Sequence, residues 1–196
     1  RVLDVGCLDG IIGIPLLKLC PGITYTGFDI CQEAREGLLA NLTQSGSNDR
    51  ASVVAKLSWD DERFDAVLWT EVIEHVQDVH GNLCQLRACL ARDGRLFITT
   101  PWGAYDKGHP PPKTVYGTER GHRGHLRVVL PHEMYCMLDQ AGLRIEELTC
   151  EREAFTEQMQ VIARPIPGNA LPRVTFVAMA ALWDWNAREA KRDGIG

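Results

Sequence analysis

The sequence predicts an α/β fold, a doubly wound and mostly parallel seven-stranded sheet with helices on both faces. Two observations predict it: short apolar runs alternate with helical patterns along the chain, and the first run leads directly into a turn that contains two glycines. The predicted strands, in order, are Val2–Val5, Thr24–Phe28, Ala51–Ala55, Phe64–Trp69, Arg95–Thr99, Arg144–Leu148 and Gln158–Ala163.

A helix is predicted between the fourth and fifth strands. Its apolar residues recur at helical spacing and share one face: Val79, Leu83, Leu86 and Leu90. Gly94 follows this face and is expected to end the helix, because glycine readily adopts the conformation found after the last helical residue.

Other helices have boundaries that proline and glycine define. One is predicted to begin at Pro131, a favourable first-turn position, and to stop at Gly142. The first helix should begin near Ile12, because Pro15 would break a helix that began much earlier.

Length, charge and cysteine content limit the class of protein. With 196 residues the chain is about one domain, long enough to bury a core without metal or disulfide staples. Its net charge of -5 argues against a nonspecific nucleic-acid coat, which usually needs a basic surplus. The seven cysteines are odd in number and include no C-x-x-C pair, so neither a disulfide framework nor a zinc ribbon is indicated. A cytoplasmic protein without a membrane span is therefore expected.

The turn after the first strand predicts a ligand that contains a ribose. Gly6 and Gly10 allow backbone N–H groups to approach a ligand without interference from a Cβ. Asp29 follows Gly10 by nineteen residues and ends the second strand, where its carboxylate can accept hydrogen bonds from both hydroxyls of a ribose. The alternative is that Asp29 simply caps a helix that starts near Gln32.

The same turn favours S-adenosylmethionine over NAD. A dinucleotide site needs a middle glycine so that the pyrophosphate can lie against the backbone, and Leu8 occupies that position here. Asp4 and Asp9 add negative charge, which suits a ligand with an ammonium and a sulfonium better than one with two phosphates.

Three segments, "VLDVGCLDG", "YTGFDI" and "FDAVLWTEVIEHV", resemble motifs of the class I S-adenosylmethionine-dependent methyltransferases, a family with a Rossmann-like fold. The resemblance covers roughly residues 1 to 150. It implies that the cofactor lies along the carboxyl edge of the sheet. The methionine part would contact Asp4, Gly6, Cys7 and Gly10, with Thr70 and Glu71 nearby. The ribose would bind Asp29, and the adenine would lie against Ile30 and against Leu57, Ser58 or Trp59.

A closer resemblance comes from "EVIEHV", "TPWG" and "GHLRVVLPHEMYCMLDQAGLRIEEL". These segments are similar to the ubiquinone-biosynthesis-type branch, and especially to the branch associated with glycan and natural-product assembly. The resemblance implies methylation, mostly of oxygen, on a small molecule or a sugar-containing metabolite.

Two histidines are candidates for the base that a hydroxyl acceptor needs, His75 and His125, because imidazole titrates in the useful range. Each also has a structural explanation, since His75 can orient its loop through a backbone bond and His125 can hold the long segment between Pro101 and Arg127. That segment is rich in Gly, Pro and His and is expected to be a lid or a binding loop.

Three alternatives stay open at this point. Glu71, Glu74 and His75 form E-x-x-E-H, which resembles the metal-binding motif of small-RNA 3′-terminal 2′-O-methyltransferases, although the acidic charge disfavours nucleic acid. An NAD-dependent oxidoreductase and a non-catalytic scaffold with the same fold are the others.

The expected organisation is a methyltransferase domain over residues 1–170 and a C-terminal helical extension over residues 171–196. The chain starts inside its first strand, whereas a sheet of this kind normally has a preceding helix that covers part of the ligand crevice. An N-terminal portion of the full protein is therefore expected to be absent here. The expected partner is a small-molecule or glycan substrate.

Overall fold

The structure is a computed structural model that describes residues 1–57, 63–102, 126–152 and 157–167. Within these residues seven strands form one sheet: β1 (Val2–Val5), β2 (Tyr25–Phe28), β3 (Ala51–Val54), β4 (Phe64–Thr70), β5 (Leu90–Pro101), β6 (Leu143–Arg152) and β7 (Glu157–Pro165). Their order across the sheet is β3-β2-β1-β4-β5-β7-β6. The first five strands pair in parallel, while β7 is antiparallel to both β5 and β6. The predicted fold class is confirmed.

Four α-helices lie in the described residues: α1 (Gly13–Leu19), α2 (Gln32–Ser45), α3 (Val79–Cys89) and α4 (Pro131–Gln140). Two single-turn 3₁₀ helices are Asn48–Arg50 and Ile73–His75. The predicted start of α4 at Pro131 is confirmed, and α1 begins one residue after Ile12. Gly142 lies two residues beyond the end of α4 with φ +74°, a left-handed conformation that glycine adopts at little cost. None of these helices has the length and apolar composition that a bilayer crossing requires.

The predicted end of α3 is wrong. The helix ends at Cys89, and Leu90 already has an extended backbone and pairs with Phe64 of β4. Leu90 is buried as the first residue of β5. Its apolar character at helical spacing therefore reflects its burial and does not show that it belongs to the helix. Gly94 lies inside β5, in the bulge between the pairs that Phe64 and Ala66 make. A Cβ on Gly94 would lie 2.7 Å from the carbonyl oxygen of Phe64, so the bulge rather than a helix end explains this glycine.

The core has one cluster on each face of the sheet, because successive strand residues point to opposite faces. Val2 of β1 belongs to the cluster under α1 and α2, which also contains Leu17 and Leu38. Leu3 belongs to the larger cluster on the other face, together with Leu83 of α3 and residues of α4. The parallel strands β1, β2 and β4 end at one edge of this doubly covered sheet, where ligands of open α/β folds bind.

Candidate active site

The turn after β1 has the left-handed backbone that its glycines permit. Gly6 has φ +83° and Gly10 has φ +94°, and the N–H groups of Gly6 and Cys7 donate to the carbonyl oxygen of Phe28 at 2.8 and 3.1 Å. Leu8, which replaces the middle glycine, has φ +47°. This conformation costs a residue with a Cβ about 1–2 kcal/mol. The turn therefore keeps the shape of a glycine turn in spite of the leucine.

Asp29 joins this turn to the one that follows β2. Its Oδ2 accepts from the backbone N–H of Leu8 at 3.0 Å and its Oδ1 accepts from that of Cys31 at 2.9 Å. The side chain is 6% exposed. The N-cap of α2 is Cys31, and neither of these two bonds to the Asp29 carboxylate comes from an N–H inside that helix, so Asp29 is not its N-cap. A carboxylate has about four acceptor positions, so ribose hydroxyls can still bind.

Asp4 has a buried carboxylate, and only one of its two oxygens accepts a hydrogen bond from the described residues. It is 1% exposed, and its Oδ2 accepts from the Tyr25 hydroxyl at 2.8 Å. Its Oδ1 has no hydrogen-bond partner among the described residues. Burial raises the pKa of Asp4 to about 6, the bond from Tyr25 opposes that rise, and the charge of Asp29 adds to it. Burial, followed by the charge of Asp4, also raises the pKa of Tyr25.

Other residues predicted around the cofactor differ widely in exposure. Ile30 is 90% exposed at the edge of the site, whereas Leu57 is buried. Cys7 is also buried, and burial together with the charge of Asp4 raises the pKa of its thiol to about 12, so it stays protonated. Ser58 and Trp59 lie outside the described residues.

Thr70 ends β4 as a half-buried residue, and Glu71 follows it with φ +55°. The N–H of Glu71 donates to the carbonyl of Thr99 at 2.9 Å, and the Thr99 hydroxyl donates to Glu71 Oε1 at 2.8 Å. The side-chain amide of Gln158 on β7 donates to the same oxygen. Sequence reasoning missed Gln158, since 87 residues separate it from Glu71 and no local pattern marks the contact. Left-handed backbone at a strand end is common at binding sites.

The two site turns pack directly on each other. A Cβ on Gly6 would lie 2.4 Å from Cγ2 of Val72, which follows Glu71. Gly6 therefore permits both a positive φ and a close approach between the turns after β1 and β4. This contact brings the predicted methionine-binding residues of the two strands together.

The candidate base His75 lies beside a buried acid. Its Nε2 is 3.9 Å from Oε1 of Glu74, and its side chain is 38% exposed, whereas that of Glu74 is almost fully buried. Glu74 Oε2 accepts from the Thr100 hydroxyl at 3.2 Å, and burial raises the pKa of Glu74, with a further contribution from the charge of Glu71. The other candidate, His125, lies outside the described residues.

No group of three potential metal-ligating side chains occurs among the residues that the structure describes. Within the E-x-x-E-H segment, the Glu71 carboxylate accepts from Thr99 and Gln158. Three of the histidines that follow this segment, His109, His122 and His125, lie outside the described part of the chain.

Known proteins resemble this chain in sequence and in fold. A family model described as "Methyltransferase domain" matches residues 1–148. A ubiquinone biosynthesis O-methyltransferase of Bartonella bacilliformis is 37% identical over 102 residues, covering 51% of this chain and 40% of that protein. One of Ruegeria sp. is 28% identical over 195 residues, covering 95% of this chain and 67% of that protein. The chain thus spans 40% to 67% of the length of these two relatives.

Solved structures share the fold at low sequence identity. An O-methyltransferase from a trans-AT PKS multienzyme of Brevibacillus brevis, in complex with S-adenosyl-L-homocysteine, has a TM-score of 0.66 at 17% identity and covers 97% of this chain and 72% of its own. The [4+2]-cyclase SpnF has a TM-score of 0.67 at 17% identity, and the match covers 86% of this chain and 76% of the cyclase chain. The fold is therefore shared by proteins whose names describe different reactions.

Proposed function

The chain belongs to the methyltransferase-domain family, which confirms the family that its motifs resemble, and from this premise we propose that it uses S-adenosylmethionine to methylate a hydroxyl group. The acceptor is a small molecule or a sugar-containing metabolite. The names of the relatives from Bartonella bacilliformis and Ruegeria sp., both O-methyltransferases, support oxygen as the methylated atom. The proposal concerns this domain, since the relatives are longer than this chain.

One observation supports the cofactor most strongly: Asp29 is held at the carboxyl edge of the sheet by the N–H groups of Leu8 and Cys31. These bonds fix the carboxylate between two turns, with lone pairs left for a ribose. The other residues fit the same cofactor. Exposed Ile30 offers an apolar surface for the adenine, and the orphaned Oδ1 of Asp4 is an acceptor for an ammonium group.

When bound, S-adenosylmethionine supplies an electrophilic methyl group on a sulfonium, so the protein mainly has to align the acceptor. Thr70 and Glu71 lie at the end of β4, toward the methionine part of the cofactor. His75 and His125 are the proposed bases for the acceptor hydroxyl. For His75, an ionised Glu74 at 3.9 Å would stabilise the imidazolium that forms when the base takes the proton.

The alternatives have less support. An NAD-dependent oxidoreductase disagrees with the family and with Leu8 in place of the middle glycine. A non-catalytic scaffold or another reaction on the same fold is consistent with the likeness to a [4+2]-cyclase, but the fold alone does not favour either. A metal-dependent RNA methyltransferase is disfavoured by the net charge of -5, because nucleic-acid-binding proteins usually carry a basic surface.

Binding and turnover test the proposal in sequence. Titration calorimetry should show micromolar affinity for S-adenosylhomocysteine and none for NAD, and the reverse result would overturn the cofactor assignment. Radiolabelled methyl transfer should then be measured with a catechol, a sugar and an amine as acceptors, with and without EDTA. Transfer to the amine alone would refute O-methylation, and restoration of EDTA-treated enzyme by Mg²⁺ would support the metal-dependent alternative.

The base is tested with a matched pair of histidine variants. His75→Gln should lower kcat by about 10²–10⁴-fold, the usual contribution of a positioned base, with little change in cofactor affinity. His80→Gln, the same substitution at an exposed position on α3, should leave kcat unchanged. Full activity of His75→Gln would exclude His75 as the base and leave His125.

A further inference from the structure

We propose that Tyr25 is a positioning residue of the cofactor site: its hydroxyl holds the buried Asp4 carboxylate in its ionised form, so that Asp4 can bind the ammonium group of the cofactor. This inference rests on the proposed function. The family resemblance assigns Asp4 to the methionine part of the cofactor but assigns no role to Tyr25, a residue of β2.

The packing around Tyr25 is arranged to bring its hydroxyl to Asp4. Tyr25 on β2 pairs with Val2 of β1, and its ring lies along the sheet so that the hydroxyl reaches Asp4 at 2.8 Å. A Cβ on Gly13, the first residue of α1, would lie 2.4 Å from the hydroxyl oxygen. A Cβ on Gly27 would also crowd the ring, at 3.2 Å. Two glycines therefore leave the space that this side chain occupies.

The charges around Asp4 indicate which kind of ligand group would bind its unpaired carboxylate oxygen. Asp29 follows β2 and repels the Asp4 carboxylate, while Cys7 is a protonated thiol in the turn. Arg35 of α2 donates to the backbone carbonyl of Asp29 at 2.6 Å rather than to Asp4. Oδ1 of Asp4 thus stays buried without a partner among the described residues. A buried carboxylate oxygen is costly without a donor, and a ligand ammonium supplies both a donor and a positive charge.

Tyr25 matters because it opposes the effect of burial. Desolvation favours the protonated form of Asp4, whereas a hydrogen bond donated to the carboxylate favours the ionised form. Without the hydroxyl, the pKa of Asp4 rises further above its usual range. Asp4 would then be protonated near neutral pH, and a neutral carboxyl attracts an ammonium group weakly. The loss should therefore depend on pH, unlike a loss caused by a packing defect.

The test is the affinity of Tyr25→Phe for S-adenosylhomocysteine, measured by titration calorimetry across about pH 5.5 to pH 8.5, a range that spans the shifted pKa. In the wild type, affinity should fall as the pH drops through about 6, where Asp4 takes up its proton. In Tyr25→Phe the midpoint should move up by about one pH unit, so that binding is about twofold weaker at the new midpoint, about eightfold weaker at the acid end of the range, and recovers at higher pH. The ligand amino group titrates equally with both proteins.

Two controls separate a specific from a structural effect. Tyr135→Phe removes the same hydroxyl from α4, away from the site, and should leave the pH profile unchanged. In an Asp4→Asn background, Tyr25→Phe should weaken binding no further, because both substitutions act through one carboxylate. This cycle also remains informative if Tyr25→Phe lowers the Tm.

The outcomes are distinguishable from failure of the proposed function. Absence of S-adenosylhomocysteine binding by the wild type would refute the proposed function itself. If the wild type binds and Tyr25→Phe keeps its midpoint, or weakens binding equally at every pH, the role of Tyr25 is refuted while the function stands. Additive losses in the Asp4→Asn background would also refute it.

Discussion

Replacement of Asp29 by alanine tests the contact on which the cofactor assignment depends. In the proposed complex Asp29 accepts from two ribose hydroxyls, and hydrogen bonds to a charged group contribute about 1.5–3 kcal/mol each. In the variant, water at the edge of the sheet replaces part of these hydrogen bonds, so we expect a net loss of about 3 kcal/mol of binding free energy. That loss corresponds to about 100-fold weaker binding of S-adenosylhomocysteine.

The same substitution also removes structural bonds, and their effect is smaller. The N–H groups of Leu8 and Cys31 lose their acceptor, but both residues are exposed and water can reach them. We expect a loss of about 1–2 kcal/mol of unfolding free energy, which lowers the Tm by about 2–8 °C in a domain of this size. Calorimetry with ligand and a thermal melt without ligand measure the two effects separately.

Two comparisons make the result specific to the ribose. Asp9→Ala removes an equal charge from an exposed position in the same turn and should change affinity by less than about threefold. The 2′,3′-dideoxy analogue of S-adenosylhomocysteine should bind the wild type weakly, and Asp29→Ala should bind the two ligands equally. Unchanged affinity of Asp29→Ala, or an equal loss in Asp9→Ala, would refute the assignment.

Two further predictions concern stability and are measured by urea unfolding. Leu8→Gly removes a left-handed conformation that costs leucine about 1–2 kcal/mol, which stabilises the folded protein. Glycine also loses more backbone entropy on folding, which destabilises the protein by about 0.5–1 kcal/mol. The unfolding free energy should therefore stay within about 1 kcal/mol of the wild type. Leu8→Val should lower it, and equal stability of the valine and glycine variants would contradict the strain at this position. Arg50 donates to four backbone carbonyls between residues 17 and 23, at and just after the end of α1. Arg50→Ala should cost about 2 kcal/mol and Arg50→Lys nearly as much, because one ammonium cannot replace the planar fork of donors; full stability of the lysine variant would show that only the charge matters.

Local patterns in the sequence were sufficient to predict the strands and to place Gly6, Gly10 and Asp29 at one edge of the sheet. The alternation of apolar runs with helices predicts a parallel sheet, and parallel strands bring their carboxyl ends to one edge. The turn at Gly6 and Gly10 and the acid at Asp29 are therefore placed together by spacing alone. The same local reasoning failed at Leu90, because a buried residue at helical spacing can equally belong to the next strand.

Tertiary structure decided what connects these positions. The bond from Tyr25 to Asp4, the contact of Gln158 with Glu71 and the cap that Arg50 provides for α1 each join different elements. Periodicity reports which face of an element is buried, but it does not report which polar side chain reaches it from another element. Chain spacing thus determined where the proposed cofactor residues lie, and only the packing of distant elements determined how each carboxylate is held and charged.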